Sequence, residues 1–137
     1  MMSPYIQKSK DNLAAADCLV GSDWYEASAH SAYYSIFLLS KELLNLRFGI
    51  GHEEQKSLVN GPKSHQKFIK KFTECLNEIP NFEPNDFVQW FSQTNMLRNK
   101  ADYKPQKTKA LPQTVFENNV KFAHDFADGI NDKFKLY

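Results

Sequence analysis

Ala27-Ser28-Ala29-His30-Ser31-Ala32-Tyr33-Tyr34-Ser35-Ile36-Phe37 is the stretch that decides the fold of this 137-residue chain. It lies inside a helical pattern that starts at Asp23, read as the N-cap, and runs to Phe48, with Gly49 ending it. Trp24, Ala29, Tyr33, Phe37, Leu44 and Phe48 recur at three- to four-residue steps, so they share one broad apolar face. Beside that face runs a strip of small residues, Ala27, Ser28, Ser31, Ala32 and Ser35. Small side chains let a neighbouring backbone approach closely, so the pattern predicts the central helix of a bundle.

The flanking segments supply its partners. Ser3-Pro4 reads as a helix start, with Ser as cap and Pro at the first helical position, where a missing N–H costs nothing. Ile6, Leu13, Ala16 and Val20 continue that first helix, and Gly21 is its expected stop. After the central helix, Gly49-Ile50-Gly51 opens a loop expected to continue through Asn60-Gly61-Pro62. Its Gly-x-Gly lacks a preceding strand and a third glycine, so it is not a phosphate-binding fingerprint. Ser64 is the expected cap of a third helix with Phe68, Ile69, Phe72 and Leu76 on one side. Pro84-Asn85 starts a fourth through Phe87, Trp90, Phe91, Thr94, Leu97 and Ala101, and Pro112 opens a fifth through Phe116, Val120, Ala123, Phe126, Ala127 and Ile130. With no alternating pattern and no repeat, the chain predicts one all-α domain over 1–137, an antiparallel four- or five-helix up-and-down bundle.

Composition narrows the function classes. Net charge is +1, so nucleic-acid binding requires a local basic patch rather than a polycationic surface. The two cysteines, Cys18 and Cys75, show no metal or redox spacing and read as buried free thiols in a reducing compartment. The N-terminal residues lack the basic and apolar regions of a signal peptide, and the dense apolar run near residues 32–39 is too short to span a bilayer. A soluble, cytoplasmic protein is expected. None of His30, His52, His65 and His124 stands in a metal-binding pair, and no serine or cysteine sits in a nucleophile motif, so neither metal nor other cofactor is expected. His30, beside Tyr33 and Tyr34, reads as a helix-packing residue.

Chemistry concentrates at Leu97-Arg98-Asn99-Lys100-Ala101-Asp102-Tyr103, where the fourth apolar stripe meets one of the two arginines in the chain. Arg98 follows a core residue, so its stem can pack while its guanidinium reaches a groove mouth. Asp102, four residues on, shares its helix face; it could form an exposed ion pair worth roughly 0.3–0.5 kcal/mol. An acid at the negative end of a helix is mildly unfavourable, which points to a role beyond local stability. Over 98–109 there are five basic residues against one acid, and over 63–71 four lysines and no acid. If the third helix packs near the end of the fourth, these form one patch suited to phosphates.

Three blocks together resemble the HEPN family (higher eukaryote and prokaryote nucleotide-binding domains): Ala32-Tyr33-Tyr34-Ser35-Ile36-Phe37, Ser64-His65-Gln66-Lys67-Phe68, and Leu97-Arg98-Asn99-Lys100-Ala101-Asp102-Tyr103. In order and spacing they are similar to the small stand-alone bacterial and archaeal members, whose fourth helix ends in an Arg…Ala-Asp-Tyr pattern. The resemblance implies a helical bundle that commonly dimerises. Many members are metal-independent ribonucleases of toxin–antitoxin or defence systems, often encoded beside a small nucleotidyltransferase partner. It also implies an active site built from an Arg, a following polar residue and a His four to six residues further on. Arg98 and Asn99 match the first two, but Tyr103, Lys104 and Pro105 stand where the His is expected. A phenol with an ordinary pKa near 10 is a poor base at neutral pH, whereas imidazole near 6.5 is suited to the task.

Three readings remain open on the sequence. One is a binding module for RNA or a nucleotide, homodimeric, using Arg98, Asn99, Lys100, Asp102, Tyr103, Lys104 and His65. Another is a metal-independent endoribonuclease toxin with Arg98, Asn99 and Tyr103 as catalytic candidates and His65 or His30 as an alternative proton carrier. The last is a protein–protein interaction module that pairs with a nucleotidyltransferase.

Overall fold

The computed structural model describes residues 3–58, 60–80, 85–103 and 112–137, with the backbone alone at His65 and over 98–103. Six helices account for most of the described residues: α1 (Pro4–Gly21), α2 (Tyr25–Arg47), α3 (His52–Leu58), α4 (Ser64–Asn77), α5 (Asn85–Tyr103) and α6 (Gln113–Phe134). The all-α bundle expected from the periodicity is the observed class. None of these helices is long and apolar enough to cross a membrane.

Ser3 caps α1 as expected, its hydroxyl accepting the Ile6 N–H at 3.3 Å. The other end differs from expectation. Asp23 does not cap α2; it takes a left-handed conformation (φ 66°) and closes α1. The Trp24 N–H donates to the Leu19 carbonyl at 2.8 Å and the Asp23 N–H to that of Val20 at 3.4 Å, the paired bonds of a Schellman turn. Asp tolerates this backbone better than most residues, so Gly21 stays helical. Trp24 therefore becomes the N-cap of α2 and lies exposed instead of joining the apolar face. Gly49 does end α2: at φ 70° it lets the Ile50 N–H reach the Leu44 carbonyl at 3.0 Å, and Ile50 turns inward.

α2 is the central helix. Its small strip receives α1: the Ser9 hydroxyl donates to the Ser35 carbonyl at 2.6 Å and the Ser35 hydroxyl to the Ser9 carbonyl at 2.8 Å. Such reciprocal bonds satisfy two buried hydroxyls and fix the register of the pair. On its other side the core is aromatic. Tyr33 meets Phe91 edge-on at 4.7 Å, Phe37 tilts against Phe68 at 4.8 Å, and Phe87 stacks on Phe126 at 4.2 Å. These geometries add to the burial energy because ring edges and faces carry opposite partial charge.

The ring pairs also fix helix directions. Phe68 faces Phe91 and Phe72 faces Phe87, so α4 and α5 are antiparallel. Trp90 pairs with Phe122 and Phe87 with Phe126, so α5 and α6 are antiparallel too. Tyr25 meets Phe116 and Phe48 meets Phe134, so α2 and α6 run parallel. Hence α1 and α5 point one way and α2, α4 and α6 the other, a departure from a strict up-and-down order. The cause is the connection after α2, which crosses back along the bundle and contains a helix where a plain loop is expected. α3 is held there by Gln55, whose buried amide donates to the Lys41 and Ile50 carbonyls, each at 2.9 Å. The crossover delivers the chain to α4 through Lys63, which takes a left-handed conformation (φ 63°), so Ser64 is the first helical residue and not the cap.

Candidate functional site

The helix directions decide what meets at each end of the bundle. α5 runs against α2, α4 and α6, so its last turns arrive where those three helices begin. Arg98, Asn99, Lys100, Asp102 and Tyr103 all fall on these turns, and their side chains lie outside the described residues. Lys104 lies outside them altogether. His65 occupies the first turn of α4, again with its side chain outside the described residues. The Phe68–Phe91 and Phe72–Phe87 pairs set the start of α4 level with residues 95–98 of α5. The start of α4 and the Arg98 turn of α5 therefore belong to one end of the molecule. Lys63, Lys67 and Lys70 are exposed there, and the Lys67 ammonium donates to the Asn60 carbonyl at 2.8 Å. His30 is on the first turns of α2 at the same end, its ring 4.8 Å from that of Tyr34. Cys18 is exposed, contrary to expectation, because it faces outward from α1, whereas Cys75 is buried.

A groove of about 570 Å³ runs between α5 and α6, and Leu97, next to Arg98 in the chain, is among the residues that line it. That volume falls within the roughly 300–1,000 Å³ of small-molecule sites. Its floor is Trp90 stacked on Phe122 at 5.6 Å and 17°. Met96, Leu97 and Val115 form an apolar mouth, with Met96 59% exposed. Carboxamides supply most of the polarity: Gln89 and Gln93 from α5, Asn118 and Asn119 from α6, with the Asp86 carboxylate at one end. Among the described residues no lysine, arginine or histidine lines it.

Asn119 ties the two walls together. The Trp90 indole N–H donates to its carbonyl at 3.0 Å, and its amide donates to the Thr94 hydroxyl at 2.6 Å, which in turn donates to the Trp90 carbonyl at 2.7 Å. Its Oδ1 is buried with no protein partner. Nothing in the helical periodicity of the sequence marks this groove. Gln89 and Gln93 are one turn apart on α5, and the α6 amides join them through packing alone.

A second polar cluster lies at the opposite end, around Glu42. This carboxylate is only 3% exposed. It accepts from the Ser3 hydroxyl and from the Asn45 amide at 2.8 Å, and His52 Nε2 lies 3.4 Å away. Burial pushes the Glu42 carboxyl up, but the bonds from Ser3, Asn45 and His52 outweigh it and hold the group below its ordinary value. Tyr5 stacks on His52 at 4.0 Å and 9°, so α1, α2 and α3 are joined at one point. The arrangement is that of a structural junction: the charge is buried, and α1 covers it.

Compared with known protein families, curated proteins and solved structures, the chain matches none of them.

Proposed function

We propose that this chain is a HEPN-like module that binds RNA or a nucleotide at the α5 end of the bundle. In this reading Arg98 and Asn99 hold a phosphate, Tyr103 donates a hydrogen bond to it, and the lysines of α4 steer it in. The observation that carries the reading is the register of α4 against α5, which supports a shared basic surface from two segments 27 residues or more apart in sequence. A planar guanidinium suits bidentate phosphate recognition, and nearby lysines add long-range attraction. With no histidine at the expected motif position, the equipment is better at holding a phosphodiester than at cleaving it. As a homodimer in a toxin–antitoxin or defence system, the module would act by sequestering its ligand.

Fluorescence anisotropy with a labelled single-stranded RNA tests this. Arg98→Ala should weaken binding at least tenfold while leaving the helical circular dichroism unchanged, a loss of the order expected for a charge-assisted pair. Unchanged affinity would sink the reading.

A second reading draws on the same directions. His30 on α2 and His65 on α4 belong to the end where α5 delivers Arg98. One of them could serve as proton carrier in a metal-independent ribonuclease. Cleavage of labelled RNA in EDTA, lost in both Arg98→Ala and His65→Ala, would favour this alternative. Intact RNA over the same incubation favours the binding module.

A further inference from the structure

We infer that the groove between α5 and α6 is a pocket for an uncharged nucleobase. The ligand class rests on the RNA- or nucleotide-binding reading, but the groove's own chemistry argues for it separately. Its lining includes the rings of Trp90 and Phe122, which stack on each other and make that part of the groove aromatic, a surface against which a base can pack. Its polar groups are carboxamides, each presenting an N–H donor and a carbonyl acceptor side by side. That is the pairing that reads a base edge, which also sets a donor beside an acceptor. Gln89 and Gln93 present two from one wall and Asn118 a third from the other, all exposed and free to reorient. Asn119 adds an acceptor oxygen that is buried with no protein partner, although its amide nitrogen is already committed to Thr94.

Among the described residues the lining carries one charged group, the Asp86 carboxylate, at the end away from Arg98. A neutral heteroaromatic ring with amino and carbonyl groups fits these walls. Leu97 lines the groove and precedes Arg98, so a nucleotide whose phosphate is held at Arg98 would have its base beside Met96 and Val115. Base and phosphate would then be held by different parts of α5, one by packing and hydrogen bonds, the other by charge.

Uncharged nucleosides separate this proposal from the phosphate reading. The chain holds two tryptophans, so Trp24→Phe leaves Trp90 as the sole emitter. The full chain carrying that change is titrated with adenosine, guanosine, cytidine and uridine, each to about 10 mM, which reaches millimolar dissociation constants. At least one nucleoside should change Trp90 emission saturably. Gln93→Ala combined with Asn118→Ala should weaken it about tenfold, and Val115→Phe, at an exposed position in the mouth, should abolish it. Arg98→Ala should leave nucleoside binding intact even where it removes RNA binding. Flat titrations with all four nucleosides overturn the pocket, whatever Arg98→Ala does to RNA. A saturable signal that survives both groove variants, or that disappears with Arg98→Ala, places the ligand elsewhere and overturns it equally. Circular dichroism of each variant guards against loss of fold.

Discussion

Glu42 is an acid carried into the interior of a bundle that otherwise buries mainly apolar side chains, and its bonds make it a pH-dependent fastener. Because its carboxyl is held below the ordinary value, its stabilisation is present above the unfolded pKa, near 4.3, and is lost as pH falls through the folded one. Glu42→Gln should therefore cost about 1–3 kcal/mol at pH 7 and progressively less toward pH 3. Urea melts of both proteins across that range would show the gap closing; a constant gap would assign the cost to packing instead. The cysteines give a second test at this scale. Cys18 is exposed, while burial pushes the Cys75 thiol up, with Glu78 and Glu74 adding to the shift against Lys71. In the native protein one thiol should react with an aromatic disulfide reagent within minutes, and the second only after unfolding. Two fast thiols would contradict the packing of Cys75.

α3 shows how a short helix can depend on a single side chain. The Gln55 amide bonds two carbonyls at the end of α2 and the turn after it, and α3 is too short to be stable alone. Gln55→Ala should cost about 1–3 kcal/mol and strip hydrogen-exchange protection from α3 while α2 keeps its own. The same element marks the limit of what could be read from the sequence. α2 was legible because Ala29, Tyr33 and Leu44 recur at helical spacing and are buried in the structure. His52-Glu53-Glu54-Gln55-Lys56-Ser57-Leu58 has no such period, since α3 is fastened by hydrogen bonds instead of an apolar face. Asp23 and Ser64 look like caps, yet tertiary placement assigned them a left-handed turn and a first helical position. The Arg98 segment stood out by its charge after an apolar stripe. The groove did not, because Gln93 and Asn118 become neighbours only once α5 and α6 are in register.

At the scale of the molecule, the parallel run of α2, α4 and α6 sorts chemistry by end. The lysines of α4 and the Arg98 turn go to one end, and the Glu42 junction goes to the other. Lys67→Glu with Lys70→Glu should weaken RNA binding at 50 mM salt by about tenfold or more and flatten its salt dependence, because fewer counterions are released. An unchanged slope would remove α4 from the proposed surface. The sorting reaches the ends of the described chain as well. Ser3 bonds Glu42 near the close of α2, and Arg47, from the last turn of α2, donates to the carbonyls of Phe134, the last residue of α6, and of Lys135, its cap. Lys10 of α1 lies 4.9 Å from the centre of the Tyr137 ring. The start of α1 and the close of α6 are thus fastened to the same end of α2, away from Arg98, and a cut at the exposed Asn60-Gly61 turn would break no helix.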